Sequence, residues 1–176
     1  MSTVEPPQIS LRPATVHDVP AIEALVAPLA EQRVLLAKER VTYYESIQEF
    51  LIAEDTAGAQ PKTLGAGALH VMWRDIAEIR TLATAEQARG HGVGRTLVQE
   101  LVERARRLGV KQVFCLTFEV EFFERLGFEQ MANQTQLDPE VYAELLRSPD
   151  EGIAEFLDLA RVKPNTLGNT RMILNL

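Results

Sequence analysis

Three glycines at alternate positions, Gly90, Gly92 and Gly94, lie between a run of alternating apolar residues and a long amphipathic one, and they dictate most of what can form around them. Glycine enters the left-handed backbone region at little cost, so such a cluster reads as a tight turn joining the two runs. Before it, Ala77 to Ala83 alternates as a strand does, with Ile79 on one side and Glu78, Arg80 and Leu82 on the other. After it, Gly94 to Leu108 carries Leu97, Val98, Leu101, Val102, Ala105 and Leu108 as one helical stripe, and Gly109 supplies the stop. A helix that opens on a glycine turn presents unpaired N–H groups and the positive end of its dipole, which together suit a phosphate. Spacing narrows the choice of phosphate. The dinucleotide fingerprint needs G-x-G-x-x-G and meets Arg95 at its last position, and the Gly-Lys-Ser/Thr of the P-loop is absent. On the glycines alone, a tight turn without a ligand is the competing reading.

The surrounding chain has a mixed α/β order. A strand at Ile9 to Arg12 leads to a helix capped by Thr15 and Asp18 and entered early by Pro20, with Ile22, Leu25, Val26 and Leu29 on one face. A second helix is expected over Thr42 to Glu49. Phe50 to Ala53 and Leu64 to Trp73 form a hairpin across the turn-rich residues 55–62. Beyond the long helix come a strand at Val113 to Thr117, a short helix at Phe122 to Leu126 and a strand from Phe128. Helices at Pro139 to Leu146 and Gly152 to Leu159, a loop at Lys163 to Asn169 and a closing strand at Arg171 to Leu176 complete the order. The early strands are then antiparallel, and the crossover from Ala77 to Thr117 makes a parallel pair. The length of 176 residues suits a single domain, residues 8–176, behind a flexible terminus of residues 1–7.

The balance of 18 Lys and Arg against 25 Asp and Glu leaves a net charge of −7, which disfavours nucleic acid as a partner. No apolar run approaches the ~20 residues of a membrane span, and the opening residues lack a signal-peptide pattern, so a cytoplasmic protein with no membrane partner is expected. The single cysteine, Cys115, sits in the apolar run Val113 to Leu116 and reads as a buried, inert thiol. His17, His70 and His91 scatter over different elements, so no metal site is expected. Tyr43, Tyr44, Phe122, Phe123 and Phe128 read as core, and Glu103 to Arg107 as a solvated helix face.

The segment Gln87-x-x-Gly90-x-Gly92 is similar to the acetyl-CoA signature Q/R-x-x-G-x-G/A of the Gcn5-related N-acetyltransferase family, and Phe123 to Phe128 resembles that family's Y-x-x-x-G-F segment. The resemblance implies a mixed, twisted sheet of six to seven strands flanked by helices, with acetyl-CoA as co-substrate. It assigns Leu82, Ala83 and Thr84 to the pantetheine arm and Gln87, Arg89, Gly90, His91, Gly92, Val93, Gly94 and Arg95 to the pyrophosphate. A finer likeness is carried by Leu11-Arg12-x-Ala14, Glu31-x-x-Val34-Leu35-Leu36, Glu78-Ile79-Arg80-Thr81, Val113-Phe114-x-Leu116-Thr117 and the tail Val162 to Met172. These resemble the acetyltransferase domain of N-acetylglutamate synthases, above all their short, kinase-less form. That resemblance implies acetyl transfer to the α-amine of L-glutamate, the first step of arginine biosynthesis, with L-glutamine associated with some short members.

By the same resemblance Glu78 holds the place of the general base, which must take a proton from an ammonium before the amine can attack a thioester. The bland alternative is a strand carboxylate paired with Arg80. Lys38, Arg80, Thr81 and Arg171 are the acceptor-site candidates, because a buried substrate carboxylate needs cations and hydrogen-bond donors around it, and Lys163 is held in reserve. Two departures from the family pattern bear on mechanism. The Tyr that commonly reprotonates the leaving thiolate falls at Phe123, and the nearest match to the Ser of long synthases is Glu119, so the general acid is unassigned. Where long synthases carry an Arg, this chain has Ala37 beside Lys38. An acetyltransferase for another small amine or a protein N-terminus, and a non-catalytic acyl-CoA-binding regulator, stay as alternatives, and a homodimer is left open.

Overall fold

We describe the protein from a computed structural model, over residues 6–131, 138–157 and 168–176. Seven strands form one sheet in the order β1-β2-β3-β4-β5-β7-β6. They are β1 Ile9–Pro13, β2 Phe50–Asp55, β3 Lys62–Trp73, β4 Ile76–Thr84, β5 Gln112–Thr117, β6 Glu129–Gln130 and β7 Thr170–Asn175. The helices are α1 Val19–Glu31, α2 Arg40–Glu45, α3 Val93–Leu108, α4 Val120–Glu124, α5 Pro139–Leu145 and α6 Glu151–Phe156. Early antiparallel pairing and a parallel β4–β5 pair match the expected order. The chain divides into two compact units: residues 1–69 with 79–103, and residues 70–78 with 104–176.

In the first unit, Val19, Ile22 and Val26 of α1 pack with Tyr43, Phe50, Ile52, Ala66, Ala68 and Ala83, and Leu25 and Leu29 flank that core. The entrance to α1 is ionic. Arg12 forks onto both oxygens of Asp18 at 2.7 Å and reaches Glu54 at 2.7 Å, and the Thr15 N–H donates to Asp18 at 2.7 Å. The Arg12 guanidinium, aided by Thr15, holds the Asp18 carboxyl down at about 2. The capped start differs from expectation only in that a 3-10 turn, Val16–Asp18, precedes α1. The helix expected over Thr42 to Glu49 stops at Glu45, because the Ser46 hydroxyl donates back to the Thr42 carbonyl at 2.7 Å and the chain tightens into a turn at Ile47–Glu49. Tyr43 is core as expected, but its neighbour Tyr44 is 44 % exposed, since adjacent helical positions point apart.

In the second unit, Met72, Ile76, Phe114, Leu145, Ile153, Phe156 and Leu157 form the core, with Phe114 and Phe156 edge-to-face at 5.3 Å. Leu108, expected on the buried stripe of α3, is 55 % exposed. Gly109 turns left-handed there, at φ 83°, and Val110 takes the buried position while its N–H bonds the Ala105 carbonyl at 3.2 Å. Phe123 stacks edge-to-face between Phe122 and Phe128, both at 5.1 Å, so the residue in the expected Tyr position is a core ring. Cys115 is buried, and burial, reinforced by the Glu78 charge, pushes its thiol well above the ordinary range. Lys163 lies outside the described residues.

Candidate active site

In the first unit the candidate phosphate-binding groups are largely backbone. Ala85 anchors the end of β4 through its N–H to the Leu64 carbonyl at 2.8 Å, and a single turn, Glu86–Ala88, leads to the glycines. Gly90 and Gly92 adopt φ 80° and 82°, the left-handed geometry the sequence demanded, and a Cβ on either would meet no protein atom within 4 Å. These two glycines are therefore required for backbone conformation, with open space in front of them. Gly94 is different: it belongs to the first turn of α3. Not every loop amide is available to a ligand. Arg89 and His91 donate within the loop, to Glu86 at 3.1 Å and Ala88 at 3.3 Å, whereas the first amides of α3, at Val93, Gly94 and Arg95, begin a helix and have no preceding helical carbonyl. Gln87, Arg89, His91 and Arg95 are exposed around this turn, and Ala88 and Val93 are its buried anchors.

Two residues that the sequence reading passed over position this loop. A Cβ on Gly65 of β3 would stand 2.9 Å from the Ala83 carbonyl, 3.0 Å from Val93 and 3.1 Å from Leu97. One on Gly67 would stand 3.1 Å from both Leu82 and Leu101. Bare positions here let the start of α3 settle onto the sheet, fixing its N-terminal amides against the end of β4. Lone glycines within a strand pattern are the signal that could have found them.

β4 itself breaks the expected alternation. Ile76 to Ile79 are all buried, and Thr81 takes φ 54°, a left-handed conformation that a β-branched residue holds only at a cost of ~1–3 kcal/mol. Past that kink Ala83 enters the α1 core and Leu82 turns toward Leu101, so the face expected to carry Glu78, Arg80 and Leu82 together ends at Thr81. Arg80 and Thr84 are half-buried and Thr81 is buried.

In the second unit the candidate acceptor groups are side chains. β4 and β5 pair only from Ile76↔Gln112 to Glu78↔Phe114, so Glu78, 5 % exposed, stands at the last paired position before the strands part. Across β5, Phe114 pairs with Ile173 and Leu116 with Arg171 of β7, which puts Glu78, Phe114, Leu116 and Arg171 on one face. Strand spacing of ~4.8 Å and a rise of ~3.3 Å per residue place the Glu78 and Arg171 Cα atoms roughly 12 Å apart, a span that a small amino acid between two side chains can bridge. The other expected acceptor residues belong to the first unit. Lys38 is half-buried between α1 and α2 in the first unit, where its backbone bonds the hydroxyl of buried Tyr43, and Arg80 and Thr81 also belong to that unit. Glu119 is exposed, with its N–H on Thr117 Oγ1 at 2.8 Å. Among the described residues no group of three or more His, Cys, Asp or Glu converges as a metal site, and no helix is long and apolar enough to cross a membrane.

A left-handed glycine turn opening a helix, placed after a kinked strand that parts from its parallel neighbour, is matched by a family: residues 23–128 fit the Acetyltransferase (GNAT) family. This chain belongs to that family. An amino-acid acetyltransferase of Mycobacterium tuberculosis is 50 % identical over 166 residues, covering 93 % of this chain and 92 % of the relative. An amino-acid acetyltransferase of Neisseria meningitidis is 34 % identical over 131 residues, 73 % of this chain but only 29 % of that protein's length. Among solved structures, a Mycobacterium tuberculosis protein in complex with CoA and NLQ superposes with a TM-score of 0.88 at 49 % identity, covering 95 % of this chain and 99 % of its own. The N-acetylglutamate synthase of Neisseria gonorrhoeae, complexed with coenzyme A and N-acetyl-glutamate, gives a TM-score of 0.73 at 26 % identity, with 96 % of this chain on 35 % of that one. The acetyl-CoA expected from the sequence thus has its counterpart in the CoA of both solved relatives, and the expected sheet of six to seven strands is a sheet of seven.

Proposed function

We propose that this protein transfers the acetyl group of acetyl-CoA to the α-amine of an amino acid, with L-glutamate or its amide L-glutamine as acceptor, as a cytoplasmic enzyme of arginine biosynthesis acting as a single domain. The observation that carries the reading is Glu78: a buried carboxylate at the last paired residue of β4, three residues before the Thr81 kink and on one face with Arg171. The names of the relatives support the same class of acceptor.

In this reading the Gly90–Gly92 turn and the first amides of α3 bind the pyrophosphate, and Leu82 to Thr84 align the pantetheine arm so that the thioester lies beside the kink. Glu78, directly or through a water, takes a proton from the acceptor ammonium. The free amine attacks the thioester carbonyl, the C–N bond forms, and the C–S bond breaks as the tetrahedral centre collapses. One of the two protons left on the nitrogen goes to solvent while the other stays as the amide N–H, and the CoA thiolate takes its proton from water, because Phe123 has none to give. Arg171 neutralises an acceptor carboxylate whose burial otherwise costs several kcal/mol.

Release of free CoA, followed across the twenty amino acids, tests this. Turnover confined to glutamate, glutamine or both is the expected result. Turnover of a simple amine lacking a carboxylate, or binding of acetyl-CoA without turnover of any amine, overturns it in favour of another acceptor class or a non-catalytic CoA-binding role.

A further inference from the structure

A base that takes a proton in every cycle must also shed it, and Glu78, 5 % exposed, has little contact with solvent of its own. The neighbouring strand offers a route. β3 reaches its hairpin turn at Arg74 and Asp75 and β4 leaves it from Ile76, so His70 lies within one residue of the position opposite Glu78, roughly 5–6 Å away between Cα atoms. Two packing relations put its side chain on the Glu78 face. Met72 and Ile76 enter one core with Phe114, and His70 and Glu78 each stand two residues from them along their strands. Helix α6, whose Ile153 and Phe156 pack into that same core, brings Asp150 to His70, with Oδ2 3.8 Å from Nε2. Both side chains of this pair reach water, His70 at 25 % exposure and Asp150 at 22 %. Asp150 is itself fixed, because its Oδ1 caps α6 by accepting the Ile153 N–H at 3.1 Å.

A neutral imidazole accepts a proton at one ring nitrogen and can give one up from the other, which suits it to carry protons between a closed site and water. We propose that His70 relays the amine proton from Glu78 to solvent, with Asp150 orienting the ring and balancing the charge of the imidazolium while it exists. The acceptor ammonium gives a proton to the Glu78 carboxylate, and the Glu78 carboxyl passes it to the His70 ring. The imidazolium then releases a proton to water beside Asp150. Both residues regain their starting charge, and exchange with water restores the ring's tautomer. The other charged groups on the elements packed around this face are Arg80 on β4, Glu151 and Glu155 on α6 and Arg171 on β7, while Glu140 and Glu144 of α5 are exposed. In this role His70 acts through Glu78, so the inference rests on Glu78 as the general base.

The test is steady-state kinetics, with the better of L-glutamate and L-glutamine as acceptor, on the wild type, His70→Ala, Asp150→Asn, Glu78→Gln and the Glu78→Gln, His70→Ala double variant. His70→Ala lowers kcat at least about tenfold and leaves the amino-acid KM within a small factor. Added imidazole restores part of the loss, whereas pyrazole, a ring of the same size and a far weaker base, does not; a residue that only fills space would be replaced by either. On top of Glu78→Gln the His70 change lowers kcat no further, because the relay then has nothing to carry. Asp150→Asn, which keeps the α6 cap and loses the charge, lowers kcat about threefold or more, and it decides the matter if the alanine variant does not fold. An unmoved kcat in His70→Ala or in Asp150→Asn, equal rescue by both rings, or a fully additive double variant overturns the relay and leaves Glu78 as the base. Wild-type kcat in Glu78→Gln overturns the base and the relay together.

Discussion

The two units present their candidate groups by different means. In the first, the groups that suit a phosphate are main-chain amides, held by two left-handed glycines and by the bare positions Gly65 and Gly67 under α3. In the second, the candidate acceptor groups are side chains on one sheet face, Glu78 and Arg171, aligned by strand register. A site of amides is protected against most side-chain substitutions and sensitive to backbone geometry. A site of side chains has the opposite sensitivities, and the comparison can be broken by showing otherwise.

The largest effect is expected at Glu78. Glu78→Gln should lower kcat by roughly 10²-fold or more while calorimetry finds acetyl-CoA affinity nearly unchanged, as removal of a general base requires. An unchanged kcat and pH-rate profile would reduce Glu78 to a structural carboxylate. Next comes the acid stability of the first unit. The Asp18 carboxyl falls from 3.8 to about 2 on folding. A depressed folded value means a contribution fully present above the unfolded value and lost as pH falls through the folded one, so ~2 kcal/mol should disappear between about pH 4 and 2. Denaturant titrations across that range should show the loss, and Asp18→Asn should flatten it at the expense of stability at pH 7.

Smaller effects separate donor from acceptor. Gly92→Val, which must hold φ 82° with a branched side chain, should weaken acetyl-CoA binding at least about tenfold by calorimetry on folded protein. Arg171→Ala should raise the amino-acid KM at least about tenfold, equivalent to ~1.4 kcal/mol, with the acetyl-CoA KM within a small factor. Arg80→Ala and Lys38→Ala, in the other unit, sharpen the comparison: an equal rise in either would mean that acceptor recognition is not confined to the Arg171 face. The smallest change is expected from Gln87→Ala, within about threefold on acetyl-CoA KM, because in the proposed reading amides rather than that exposed side chain bind the phosphate. A tenfold loss there would overturn the division between the units.

The same contrast explains what could be read in advance. The glycine turn, α3 and the strand before it were legible because their signals are local: Gly90 and Gly92 need a special backbone, and Leu97, Val98 and Leu101 repeat with the helical period. The early hairpin and the parallel β4–β5 pair followed from order alone. The kink at Thr81 was not legible, since nothing in Arg80-Thr81-Leu82 asks for a left-handed threonine, and strict alternation carried Leu82 to the wrong face. Leu108 was misplaced because the tighter turn at Gly109 let Val110 bury instead. Glu78 and Arg171 were reached by resemblance. Their shared face depends on the register of β4 on β5 and of β5 on β7, a long-range property that no local period encodes.

The buried Cys115 gives this chain an unusual chemical quietness. It is the single thiol in the sequence, and its ionisation is suppressed by burial and by the negative charge of Glu78. An acetyl transfer from acetyl-CoA liberates a thiol with every cycle, and a protein with a reactive cysteine near its product would accumulate mixed disulfides under oxidising conditions. Here the product's sulfur has no partner in the folded chain to exchange with. A chromogenic disulfide reagent added during turnover should therefore titrate released CoA alone, and the delayed reaction of one further equivalent on adding denaturant would count unfolded molecules in the same cuvette.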